Sequence, residues 1–340
     1  MKETIMRKMA LCGLLAAAAA LPLGARAEVS ELKIPLGAGG FGFLPLHMMN
    51  KHNLIEKHAE KAGVKVTVNW ANIGGPSVMI DALLSGSAHF ISAGPPSFLI
   101  LWDRTKGSGN VKGVAAMSSM PMSLNTRAPH LKSIDDLKGS DKIGVTSVKS
   151  SIPSIIMQMY AVKQYGKDQA FRFDPFTVTM NHADAAVALL SGSSNIVAHY
   201  ASAPLSQREL KEPGIRSIQN SDDIMGGSTT FTMVSTTQKF RDENPKLYAA
   251  FVAALKEAQA MIKSDRRAAS EVLIESMGGA KAGSVDEMMA ILADPATKYT
   301  TTPENVMKYA LFMNDIGSIK NRPKSIAELF FDTADLGSGN

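Results

Sequence analysis

The chain has 340 residues, 45 % of them hydrophobic, 6 % aromatic and 20 % charged, with a formal charge of +5 and a single cysteine, Cys12. That content is enough for a large core and two lobes. The first 27 residues carry four basic groups and one acidic group, so the rest of the chain has a formal charge of about +2, which gives no electrostatic case for nucleic acid. One cysteine excludes a disulfide framework and a cysteine metal site.

Lys2, Arg7 and Lys8 precede the apolar run MALCGLLAAAAALPL, which ends in GARA at 24–27. A basic start, a short apolar stretch and small residues at Ala25 and Ala27 predict a Sec-type secretory signal cleaved after Ala27. The run is short for a membrane span and is broken by Pro22 and Gly24. Cys12 follows Leu11 within the run, where a lipoprotein would need a small residue. The expected product is a soluble periplasmic monomer without thiol or membrane anchor.

After the leader, ELKIPLGAGG predicts a strand ending in a glycine turn. FLPLHMMNKHNLIEKHAEKAG has helical spacing at Leu46, Met49, Leu54 and Ile55 and stops at Gly63. VKVTVNW alternates as a strand, PSVMIDALLSG starts a helix on Pro76 and ends it at Gly86, AHFISAG is a strand and PPSFLILWDR a helix. Strand and helix alternate three times, which predicts a parallel sheet covered by helices. The grammar restarts near 133: SIDDLKG has capping-box spacing between Ser133 and Asp136. DKIGVTS, FTVTM and NIVAHY read as strands, with helices over SSIPSIIMQMYAVKQYG and NHADAAVALLSG between them. NPKLYAAFVAALKEAQAMIKSD predicts a long amphipathic helix capped by Asn244, and TTPENVMKYALFMNDIGSI a further helix opening at Thr302 and Pro303.

ALLSGS occurs at 82–87 and again at 188–193. A shift of 106 residues superposes the two surroundings, so the repeat marks the end of equivalent helices in two similar α/β units, each stopped by a glycine in the left-handed region. The extended segments 114–126 and 228–236 then carry the chain out of one unit and back, as two hinge strands. The expected fold is α/β with two similar lobes: residues 28–120 with 232–340 in lobe 1, and 121–231 in lobe 2.

In open parallel sheets the binding crevice lies beyond the carboxyl ends of the strands, where helix starts offer unpaired N–H groups and partial positive charge. In lobe 1 this singles out Ala38, Gly39, Gly40 and Phe41 in the first turn, then Gly74, Gly75 and Ser77, then Gly94 and Pro95. In lobe 2 it singles out Thr146, Ser147, Lys149, Ser150 and Ser151, with His182, His199 and Tyr200 as further donors. Glycines there let backbone approach a ligand, and the donors favour an anionic group. Each serine or threonine is equally readable as an ordinary cap.

Other chemistries lack their residues. The histidines of HMMNKHNLIEKH stand five and six apart, which does not stack them on one helical face for zinc. The methionines of MSSMPM (117–122) read as packing rather than a copper site. No GxSxG or Walker pattern is present, and no nucleophile–base–orienter set. No cofactor and no metal is expected.

With these motifs in place, the chain resembles the periplasmic substrate-binding proteins of bacterial ABC importers, of the sulfonate/taurine/nitrate type that shares its fold with the thiamine-pyrimidine precursor binders. The resemblance covers most of 28–265. It rests on the first glycine turn, on GGPSVMIDALLSGSAHFISAGPPS, on SIDDLKGSDKIGVTSVKSS and on NHADAAVALLSGSSNIVAHYASAP. It implies the type II periplasmic-binding-protein fold, a cleft lined by the loops at 37–41, 74–77, 94–97 and 146–151 and by His199 and Tyr200, and no catalysis. It also implies a small-molecule ligand and a permease with its ATPase as partners. The third piece departs from the family: Ser193–Asn195 and HYASAP stand where an acidic residue and a tryptophan are usual. That points to a solute other than the familiar sulfonates. The cysteine-rich motif of the pyrimidine-synthase branch is absent. Two alternatives use the same cleft, a partner of a sensory receptor and an exported enzyme with Lys149, His182 or His199 as base.

Overall fold

The computed structural model describes residues 27–37, 39–71 and 76–332, with only the backbone of 76 and 77. Residues 1–26 of the expected leader, Ala38, Gly74 and Gly75 lie outside the described residues, as does the side chain of Ser77.

Strands β1 (Glu31–Pro35) and β2 (Thr67–Ala71) pair in parallel, from Glu31 opposite Thr67 to Pro35 opposite Ala71. Strand β3 (Ile91–Ala93) sits beside β1, because the His89 N–H donates to the Lys33 carbonyl at 2.9 Å and the Lys33 N–H donates to His89 Nδ1 at 3.0 Å. Strand β4 (Val111–Ser119) completes the set through β10 (Thr230–Thr237), which is antiparallel to both β3 and β4. The first lobe therefore holds two ladders, β1-β2 and β3-β10-β4, set side by side in the order β2-β1-β3-β10-β4 through the His89–Lys33 contacts. The second sheet, of β5 (Ser123–Thr126), β6 (Lys142–Val145), β7 (Thr177–Thr179), β8 (Ile196–Ala201) and β9 (Arg216–Asn220), runs β7-β6-β8-β5-β9.

The two orders correspond place for place. In each, the fourth position is an antiparallel strand that sits next to a crossing between lobes. The segment expected as one hinge strand, 114–126, is two strands, one per lobe, broken at Met120–Met122. The chain returns through 226–229, where Gly226 and Gly227 have φ of 72° and 141°, open to glycine and strained for other residues. The fold is thus α/β with two similar lobes joined by two crossings.

Helices follow most of the expected pattern. The periodic stretch after the first turn is split into α1 (Leu44–Lys51) and α2 (Leu54–Lys61), because Asn53 takes φ 49°, a left-handed value that asparagine tolerates better than most residues. Next come α3 (Pro76–Leu84) and α4 (Pro95–Thr105) in lobe 1, and α5 (Ile152–Tyr165) and α6 (His182–Ser191) in lobe 2. The glycines of the repeated hexapeptide, Gly86 and Gly192, have φ of 76° and 61°. Helices α7 (Leu205–Leu210) and α8 (Ser221–Met225) flank β9.

After β10 come α9 (Gln238–Glu243), α10 (Pro245–Ser264), α11 (Arg266–Ser276) and α12 (Val285–Ala293). Helices α10 and α11 pack back on α1 and α2 of lobe 1. Asn244 does not cap α10 through its side chain. Its Oδ1 accepts from the Val29 N–H, while the Glu28 carboxylate accepts from the N–H groups of Lys246 and Leu247 at 2.9 and 2.8 Å. Helix α13 (Val306–Asp315) starts later than Thr302, since the Glu304 N–H is held by Thr230 Oγ1 and the Glu304 carboxylate accepts from Ser228 and Lys298. A last turn, α14 (Ile326–Leu329), precedes 330–332. Phe90 stacks on Phe251 at 4.0 Å in the core, and Met117, Met120 and Met122 are buried there, as packing groups. Among the described residues no helix is long and apolar enough to cross a membrane.

Candidate ligand cleft

The carboxyl ends of β1, β2 and β3 and those of β6, β7 and β8 carry the loops singled out above. In lobe 1 the first turn is held rigidly from below. The Gly42 carbonyl accepts from Ser118 Oγ at 3.3 Å and Thr232 Oγ1 at 2.5 Å, and the Phe41 carbonyl accepts from Tyr299 at 2.9 Å. Gly39 and Gly40 have φ of 75° and 87°, and a Cβ on Gly39 would lie 2.6 Å from the Ser276 carbonyl oxygen. Only glycine fits there. Phe41 itself is 1 % exposed. Its ring packs in the core.

The starts of α4 and α5 meet across the lobes. Ser97 Oγ donates to the Ser150 carbonyl at 3.1 Å, and a Cβ on Gly94 would lie 3.1 Å from Ile152 Cδ1. Ser147 and Ser150 share a hydroxyl contact at 2.6 Å, and Ser151 and Ser154 both donate to the Ser147 carbonyl, at 2.7 and 2.9 Å. Because Ser151 points back to Ser147, α5 has no side-chain cap; Pro153 at its second position has no N–H, so its first turn offers at most the N–H groups of Ile152 and Ser154. Helix α4 is a poorer donor: Pro95 and Pro96 occupy its first two positions and have no N–H. Of the expected residues, Gly94, Pro95, Ser147, Ser150 and Ser151 are brought together here, with Thr146 at the end of β6 beside them.

Lys149 stands apart. It is exposed on a turn with φ 67°. Its charge is felt by Asp174, whose carboxyl is pushed up by burial and drawn down by Gln158 and then Lys149.

Helix α6 is closed by its own residues. Asn181 Oδ1 accepts from the Asp184 N–H at 2.9 Å, which takes up one of the first-turn donors, and the side chain that turns toward the cleft here is His182. His182 Nδ1 lies 2.9 Å from His199 Nε2, and His199 Nδ1 lies 2.5 Å from Glu209 Oε1. Asn125 Nδ2 donates to Glu209 Oε2 at 2.9 Å. Burial, then the neighbouring His199, lowers the His182 pKa to about 3. His199 is fully buried and reaches the cleft only through His182. Strand β8 runs on to Ala201, one residue past Tyr200, which is fully buried with its hydroxyl on Gln219 at 3.1 Å. Tyr200 is therefore packed in the core of lobe 2.

A second inter-lobe contact was not legible in the sequence. Arg208 of α7 forks onto Glu287 of α12, Nε to Oε1 at 3.1 Å and Nη2 to Oε2 at 3.0 Å, and Nη2 also donates to the Ala282 carbonyl. Lys211 adds a contact at 3.5 Å. The lobes thus touch through α4 and α5 and again through α7 and α12. Separating them must break the bidentate pair.

No protein-family model and no curated protein sequence matches the chain. Solved structures do match its fold. The alkanesulfonate-binding protein SsuA from Xanthomonas axonopodis pv. citri, bound to MOPS, is 17 % identical with a TM-score of 0.66, over 90 % of this chain and 99 % of that one. The periplasmic nitrate-binding protein NrtA from Synechocystis PCC 6803 is 12 % identical with a TM-score of 0.64, over 92 % of both chains. The Candida albicans CA3427 gene product, described as having the generic periplasmic binding protein structural fold, is 13 % identical with a TM-score of 0.62, over 89 % and 96 %. The chain has the periplasmic-binding-protein fold.

Proposed function

We propose that the chain is an exported solute receptor of an ABC import system, non-catalytic, which takes a small anionic organic solute between its lobes and hands it to a membrane permease. The lobes divide near 120/121 and in the 226–229 crossing, so residues 230 and 231, expected in lobe 2, belong with β10 to lobe 1. The observation that carries this reading is the meeting of Gly94 and Ser97 from lobe 1 with Ser147, Ser150 and Ser151 from lobe 2, beside the uncapped start of α5. A solute seated there touches both lobes only when they are together, so its binding energy selects the closed arrangement. The uncapped N–H groups favour an oxyanion such as a sulfonate or carboxylate. Two of the similar structures are an alkanesulfonate-binding protein and a nitrate-binding protein, whose solutes are oxyanions. The leader expected at 1–27 supports export to the periplasm.

The test is a thermal-shift panel of alkanesulfonates, taurine, nitrate, sulfate and small carboxylates. A true ligand at about 100 times its Kd stabilises the folded state by roughly 2.7 kcal/mol. An unchanged Tm across all of them contradicts the anionic-solute reading.

A further inference from the structure

Glu209 and His199 are both fully buried, and they lie 2.5 Å apart. Around the pair, β5 contributes Asn125, which is neutral, and β6 places Gly144 opposite His199. Helix α7 adds Ser206, which shares Asn125 with Glu209, and α6 adds His182. Among the described residues, no lysine or arginine reaches the Glu209 carboxylate. A carboxylate buried without a counter-charge is costly, and a proton on His199 makes the pair neutral overall.

Both His199 nitrogens are then donors. Nδ1–H goes to Glu209, and Nε2–H goes to His182 Nδ1, which must accept. The His182 ring is left with its own proton on Nε2, and that nitrogen has no partner among the described residues. We propose that Glu209 and His199 are positioning residues that set the His182 tautomer, making His182 Nε2–H a hydrogen-bond donor to an acceptor oxygen of the bound solute. This rests on the solute-receptor reading for the presence of a ligand, but the tautomer itself does not.

The chain has seven histidines, few enough to resolve one by one in the full-length mature protein. Long-range proton–nitrogen correlation spectra at neutral pH, assigned with single His→Gln variants, report which ring nitrogens carry protons. The expected spectrum has His199 protonated on both nitrogens and His182 protonated on Nε2 alone. In E209Q the His199 charge is lost: with Asn125 Nδ2 still donating to the side-chain oxygen, the amide N–H faces His199 Nδ1, so neutral His199 carries its proton on Nε2 alone and His182 keeps its own on Nε2. A wild-type spectrum with neutral His199, or with the His182 proton on Nδ1, overturns the assignment even if E209Q fails to fold. With methanesulfonate as probe, the wild-type His182 Nε2–H signal should shift on binding and H182F should weaken binding about tenfold or more; equal affinity in both proteins overturns the link to the ligand. If neither protein binds any anion of the panel while the spectrum is as expected, the receptor reading fails and the tautomer assignment stands.

Discussion

Gly39 shows how tightly one residue can be constrained. A side chain there meets both a positive φ and the Ser276 carbonyl oxygen 2.6 Å away. Gly39→Ala should cost about 1–3 kcal/mol in urea unfolding, whereas Gly63→Ala, also at positive φ but with open space around it, isolates the backbone part of that cost. His182 makes a pH prediction. Its ring is kept neutral when folded, with a pKa of about 3 against an ordinary 6.5, so the unfolded chain takes up the proton first. The contribution of this ring to stability is therefore intact above about 6.5 and is lost progressively as pH falls toward 3. His182→Asn should flatten the decline of Tm over that window, and an unchanged slope would contradict the assignment. At this scale the sequence was legible where residue chemistry alone decides, as at Gly86 and Gly192. It was illegible where packing from elsewhere decides what is buried. Tyr200 and its neighbour His199 are both buried although side chains alternate across a strand, because β8 is an inner strand between β6 and β5, covered on both faces. Glu209 sits in SQRELKEPG, where nothing distinguishes the buried carboxylate from its solvated neighbours.

Among elements, the caps and the inter-lobe contacts were the hardest to foresee. Asn244 and Pro245 announced the start of α10 correctly, but the cap comes from Glu28, 218 residues away from Lys246. Glu28→Ala should destabilise by about 1 kcal/mol in a denaturant titration, and no change would mean that the contact does not hold the helix end. The Arg208–Glu287 fork has no local signature at all, since its partners come from opposite lobes. The fork, and burial working against it, leave the Glu287 carboxyl below the ordinary range. Its contribution is thus present above the usual glutamate range and is lost as pH falls through the lowered value. A partly exposed pair stabilises by about 1 kcal/mol or less, yet that suffices to shift an open–closed balance several-fold. Small-angle scattering of ligand-free Arg208→Ala should show a larger radius of gyration than wild type, and Arg208→Glu with Glu287→Arg should restore it. The strand–helix alternation itself was legible, because period-two and helical spacing recur with glycine and proline at the boundaries. The start of α13 was not, because Thr230 and Ser228 on the returning chain hold Glu304 out of the helix.

For the whole molecule, the duplicated hexapeptide was the decisive clue. It placed two α/β units in order, and the sheets β2-β1-β3-β10-β4 and β7-β6-β8-β5-β9 realise them with equivalent strands in equivalent places. What remains to be measured is movement. Leu84 and Leu190 occupy the same place in the two copies of ALLSGS, one on each lobe, and both are exposed. Cys12 is the only cysteine and falls in the expected leader, so the mature chain with Leu84→Cys and Leu190→Cys takes spin labels at those two sites alone. Pulsed electron paramagnetic resonance then reads the distance between lobes with and without a solute identified by thermal shift. A solute that closes the cleft should convert a broad distance distribution into a single narrower one, and Arg208→Ala should broaden the ligand-free distribution further. Distributions that are identical at zero and saturating solute would contradict closure around a ligand.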